Sequence, residues 1–177
     1  MDESVISSMD ESVISRIVES VVKAVEKTSP QVHKCRCNKK ITLKTAVDLI
    51  SKIERKAKEI GVNVVIAIAG EGGNPIAVHC MDDAYIASYD IAVNKAFTAV
   101  SLKMSTSALA KLSQPGADLY GVQFTNQGKI VIFPGGEPIL VNGKVIGGIG
   151  ISGGSAAQDS ELATYGKNML MEADSWQ

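Results

Sequence analysis

Aromatic residues make up only 5% of this 177-residue chain, which leaves little material for base-stacking platforms. A charge excess is missing too: 18 basic and 19 acidic residues give a net charge of −1, without the basic surplus of a nucleic-acid-binding face. No apolar run approaches the roughly 18 residues needed to cross a bilayer. The longest, Val62–Ala69, is strand-sized and contains Asn63. Neither nucleic acid nor a membrane is therefore an expected partner. Asp2 and Glu3 stand where a secretory signal would carry basic residues, and no continuous apolar segment follows, so a cytoplasmic location is the expectation. The three cysteines, Cys35, Cys37 and Cys80, are an odd number and fit reduced thiols better than a disulfide framework. With only two histidines, one subunit cannot build a histidine-rich metal centre.

What is present is the composition of one globular domain with an extension: 45% hydrophobic and 21% charged. The extension opens on a short repeat, Met1–Ser7 recurring as Met9–Ser15, too short for a solenoid. Its origin, native duplication or artefact, is left open by the sequence. From Asp10, the residues Ile14, Ile17, Val18, Val21, Val22 and Val25 recur at spacings of three and four, so an amphipathic helix is expected within 1–28. Residues 29–40 are polar and aperiodic and read as a linker, 41–172 as the domain, and 173–177 as a tail.

Within the domain, Thr42 is a candidate N-cap for a helix whose Leu43, Ala46, Val47, Ile50, Ile53, Ala57 and Ile60 share a face, with Gly61 as its stop. Val62–Ala69 and Ile76–Met81 read as a hairpin across Glu71–Pro75. Asp82 and Asp83 are expected to open a second helix with Tyr85, Ile86 and Tyr89 on its apolar side, and a short helix follows over Ser105–Leu112. Lys129–Phe133 is expected as a strand and Pro134–Pro138 as a tight loop. Ile139–Val141 and Lys144–Ile151 flank Asn142-Gly143, a strong hairpin signal, and a last helix follows Ser152–Ser155. This order predicts an α+β fold, an antiparallel sheet of about five strands covered by helices.

Three blocks then carry a resemblance. His79–Ala99, with Met81-Asp82, Ser88, Asp90-Ile91-Ala92, Lys95-Ala96 and Thr98-Ala99, is similar to one block of the GlcG/HbpS family, which includes the PduO C-terminal-like domains. Phe133–Pro138 resembles its Pro-Gly-Gly loop, and Gly147–Gly154 with Gln158-Asp159 resembles its glycine-rich signature. The three stand in the family's order, across about 41–170. The resemblance implies a profilin-like α/β/α arrangement, frequent homo-oligomers, and haem or iron binding in some members. The chain departs at Cys80, where many members carry arginine, and at Glu71, where they often carry aspartate. The N-terminal helix and linker resemble a bacterial microcompartment encapsulation peptide. That implies a shell protein as a partner of residues 1–28 and, beyond the cytoplasm, the compartment lumen as a location.

Candidate ligand-binding residues follow from these motifs: Gly135, Gly136 and Glu137 in one loop, Ser152, Gly153 and Gly154 in the other, and Lys95 from the first block. Gly148-x-Gly150-x-x-Gly153 matches a dinucleotide fingerprint in form only, because no second strand follows its helix. The N–H groups opening the last helix remain a candidate site for an anion such as a haem propionate. His79 is a candidate iron ligand. His33, Cys35 and Cys37 are weaker metal candidates, since Cys-x-Cys is shorter than ordinary zinc spacing.

The expected function is binding of a small ligand, haem or a related cofactor. One alternative is an enzyme acting on a small organic acid or aldehyde-pathway intermediate, or degrading haem, with Glu137, Asp159 and His79 as the acid–base candidates. The other is a structural adaptor recruited to a shell through its N-terminal helix.

Overall fold

The computed structural model describes residues 40–172 continuously, together with 15–16 and 19–20. The linker residues His33, Cys35 and Cys37, most of the predicted N-terminal helix and the 173–177 tail lie outside the described residues. Contacts divide the chain into two units, 1–38 and 39–177.

Helix α1 spans Leu43–Glu59 and begins where expected, because the Thr42 side chain accepts from the Thr45 N–H. Such a cap contributes about 1 kcal/mol. Its apolar stripe of Ala46, Leu49, Ile50, Ile53 and Ala57 is buried, and Lys56 and Lys58 in the last turn complement the helix dipole. Strands β1 (Val65–Gly70) and β2 (Pro75–Cys80) form the first hairpin. Helix α2 (Ser88–Ser101) follows, then α3 (Thr106–Leu112), whose cap Ser105 accepts from the Ala108 N–H. Two single 3-10 turns lead to β3 (Gly136–Val141) and β4 (Lys144–Ser152). Asn142 and Gly143 join these strands with φ of +52° and +77°, the pair of left-handed residues that a tight two-residue hairpin demands. Helix α4 (Ala156–Glu172) closes the domain.

The described sheet has four antiparallel strands in the order β2-β1-β4-β3. It is sandwiched. Leu49, Ile50 and Ile53 of α1 and Leu162 of α4 pack with Ile66, Ile68, Ile149 and Ile151 on one face. Ala92, Ala96 and Val100 of α2 cover Val65, Ala67 and Ala69 on the other. Both faces of β1 are thus covered, which is why it reads as an unbroken apolar run rather than an alternation. Each fully buried isoleucine or leucine contributes about 1.5–3 kcal/mol.

Three expectations need correction. Lys129–Phe133 is not a strand: the Val131 N–H donates to Thr98 Oγ1 at 3.0 Å, so this segment is tied to a side chain of α2 rather than to a neighbouring strand. The described sheet accordingly has four strands, not five. β3 begins inside the predicted Pro134–Pro138 loop, with Gly136 paired to Gly150. Finally, α2 begins at Ser88 instead of Asp82. Asp83 adopts φ +63°, which no helix continues through, and Tyr85 and Ile86 are left exposed, at 73% and 98%, instead of lying on a buried face.

Candidate functional site

The site lies at the sheet end where β1 begins and β4 finishes. Register places Cys80, Val65 and Ser152 in one row across β2, β1 and β4. Helix α2 approaches β4 closely there, because Gly148 and Gly150 present no side chains to Ala92 and Ala96. A Cβ at Gly150 would overlap the Ala92 carbonyl oxygen. The fingerprint-like glycines therefore serve helix-on-sheet packing, consistent with their rejection as a dinucleotide motif.

This close approach buries Lys95 completely. Its Nζ donates to the Ile151 carbonyl at 2.7 Å and to Asp159 Oδ2 at 2.7 Å. Asp159, in the first turn of α4, accepts from the Gly154 N–H through Oδ1 at 2.9 Å. Behind the ammonium sits Gly135, at φ +116°, where a Cβ would come within 2.6 Å of Nζ. In front lies the Phe133 ring, its centroid 4.9 Å from Nζ. The Gly135 carbonyl accepts from the Ile151 N–H at 2.8 Å, and the Gly136 N–H donates to Thr106 Oγ1 at 2.9 Å. Burial pushes the Lys95 pKa below the ordinary lysine range and that of Asp159 above the ordinary carboxylate range, while each partner pulls the other back.

Above this pair is a cleft of about 340 Å³, lined by Tyr85, Ser88, Ile91, Phe133, the Ser152–Gly154 turn, Ala156 and the edge of Asp159. Ser152 Oγ donates to Ser88 Oγ at 3.1 Å, and both residues are buried. The two glycine segments singled out in the sequence do meet here. Ser152, Gly153 and Gly154 line the cleft. Gly135, Gly136 and Lys95 are packed beneath it, reaching it only through Asp159 and Phe133.

The start of the last helix is partly self-capped. The Ser155 N–H donates to Gln158 Oε1 at 2.9 Å and the Gln158 N–H to Ser155 Oγ at 3.3 Å, a reciprocal capping box. The Gly154 N–H is likewise taken, by Asp159, so three N–H groups at this end of the helix, those of Gly154, Ser155 and Gln158, are bonded to side chains of its own first turn.

Glu137 and His79 lie elsewhere. Glu137 pairs in register with Ile149, and His79 with Ile66, so period-two alternation sends both side chains to the α1/α4 face, away from the cleft. Glu137 is held by Lys167 at 2.8 Å. His79 Nδ1 lies 2.8 Å from Glu54 Oε1. The three acid–base candidates therefore do not converge on one hollow. Among the described residues, no group of three or more His, Cys, Asp or Glu side chains is placed to hold a metal ion. No described helix is long and apolar enough to cross a membrane.

Sequence reasoning missed the cleft's walls. The apolar spacing places Tyr85 on a buried helix face and Phe133 at a strand end, and Ser88 carries no signal beyond its place in the first motif block. The Asp159–Lys95 pairing had a trace in the sequence, since both residues fall within the motif blocks. Chemically, the cleft offers aromatic and aliphatic walls, two hydroxyls bonded to each other and a charge pair closed on itself.

The HbpS-like family model, described as a haem-degrading protein, matches residues 41–167. A 15.0 kDa protein from the dhaT–dhaS intergenic region of Citrobacter freundii is 50% identical over 123 residues, covering 70% of this chain and 87% of that protein. The crystal structure of Klebsiella pneumoniae ORFY superposes with a TM-score of 0.74 at 42% identity, covering 76% of this chain and 92% of that one. That of a PduOC:heme complex gives 0.67 at 38% identity, covering 69% and 88%. With the family model matching 41–167, a relative 50% identical over most of its length and solved structures of the same fold, this chain belongs to the HbpS-like family.

Proposed function

We propose that this protein binds a flat, largely apolar ligand, haem or a related tetrapyrrole, in the cleft beside Tyr85, Phe133 and the Ser152–Gly154 turn. The observation that carries this reading is the cleft's make-up: aromatic side chains left exposed at the rim, Tyr85 at 73% and Phe133 at 44%, over a floor that contains the buried Lys95–Asp159 pair. Large apolar side chains grouped at the mouth of a concave site mark a binding surface. A volume of about 340 Å³ open to solvent would take such a ligand by one edge or face. The PduOC relative was crystallised with haem, which supports the choice of ligand.

Titration with hemin tests the reading. A saturable Soret shift at micromolar protein, weakened in Phe133→Ala, is the expected result. No Soret shift at that concentration overturns it.

A separable part of the proposal concerns residues 1–28, whose apolar stripe suits helix-in-groove docking on a microcompartment shell protein. Ser15, Arg16, Glu19 and Ser20 are helical and exposed, in keeping with a polar outer face. Deleting 1–28 should abolish co-purification with shell proteins while hemin binding persists; unchanged co-purification removes this part.

A further inference from the structure

We infer that Tyr85 supplies the protein ligand to the haem iron, an inference that rests on haem occupying the cleft proposed above. The argument begins from the donors the cleft presents. Among its lining residues, Ile91 and Phe133 have none. Both oxygens of Asp159 are engaged, one by the Lys95 ammonium and one by the Gly154 N–H. Ser88 and Ser152 are buried, 3% and 5% exposed, and bonded to each other. No described histidine, methionine or cysteine lines the cleft.

Tyr85 remains. Its exposure has a specific backbone cause. Asp83 sits at φ +63° and the chain turns through Ala84–Ala87 before α2 starts at Ser88, so Tyr85 stands at the rim instead of packing against the sheet. A phenol oxygen is one of the established axial donors to haem iron. On ligation the phenol O–H bond breaks as the O–Fe(III) bond forms, the proton goes to solvent, and the iron stays ferric, so no oxidant or reductant is required.

The rival donors are placed less well. His79 belongs to the opposite face of the sheet and is bonded to Glu54. Cys80 shares the cleft's face but stands two strands away from Ser152, on the order of 10 Å at ordinary strand spacing.

The test uses the full chain loaded with hemin and read by absorbance and resonance Raman spectroscopy. The expected wild-type signature is a ferric haem with phenolate-to-iron charge transfer and phenolate modes in the Raman spectrum. Tyr85→Phe should lose both and weaken hemin binding by at least about tenfold, with an unchanged melting temperature because the side chain is exposed. His79→Ala and Cys80→Ser should keep the wild-type spectrum. A Tyr85→Phe protein that binds hemin with the wild-type spectrum overturns the ligand assignment alone, as does loss of the signature in His79→Ala or Cys80→Ser. A wild-type protein that gives no Soret shift overturns the cleft reading and this inference together.

Discussion

The Lys95 ammonium lies 2.7 Å from Asp159 Oδ2, a residue 64 positions further along the chain, and neither side chain is more than 5% exposed. One bond thereby joins α2 to the first turn of α4, while Lys95 also donates to the Ile151 carbonyl at the end of β4 and Asp159 also accepts from the Gly154 N–H. These contacts tie together the segments that form the floor of the cleft.

Removing one partner should therefore cost more than removing both. Lys95→Met leaves a buried carboxylate unpaired and is expected to destabilise by about 3–5 kcal/mol. The double variant Lys95→Met/Asp159→Leu should recover part of that loss, since no unpaired charge stays buried, the remainder reflecting the Gly154 N–H and Ile151 carbonyl left without these partners. Urea unfolding of the two variants checks this, and a double variant as unstable as the single one contradicts it.

Glycine substitutions should separate close packing from backbone strain. Gly150→Ala drives a Cβ into the Ala92 carbonyl and should cost about 3 kcal/mol or more. Gly143→Ala meets open space but must hold φ +77°, a left-handed strain of about 1–2 kcal/mol. Denaturant midpoints should fall in the order wild type, Gly143→Ala, Gly150→Ala.

Glu137 faces α4, not the cleft, so Glu137→Gln should leave a hemin titration unchanged. It should cost about 1 kcal/mol of stability through the weakened Lys167 bond. A change in hemin affinity without a change in melting temperature would place Glu137 at the ligand after all.

The Glu54–His79 contact ties α1 to the edge strand β2. A double-mutant cycle with Glu54→Gln and His79→Ala should return a coupling of about 0.5–1 kcal/mol, measured by thermal unfolding near pH 6. Coupling indistinguishable from zero would show the contact to be incidental.

Local chemistry was legible in the sequence. Thr42 capping α1 and Asn142-Gly143 closing the β3–β4 hairpin each act on backbone groups a few residues away, and such short-range geometry depends only on residue type. The α1 stripe was readable because its 3.6-residue period belongs to the backbone, and the β1 run because a strand covered on both faces is apolar throughout. The family motifs likewise pointed to the two glycine segments that meet beside the cleft.

Tertiary structure alone decided the rest. Val131 gave its N–H to Thr98, across 33 residues, and so a segment with strand composition never joined the sheet. A left-handed Asp83 delayed α2 by six residues and put Tyr85 at the rim, although the apolar spacing suited an earlier start. Lys95 reads in isolation as a surface lysine, and only the bare glycines of β4 let α2 come near enough to bury it against Asp159. Partners this distant in sequence are selected by packing and desolvation, which no local pattern encodes.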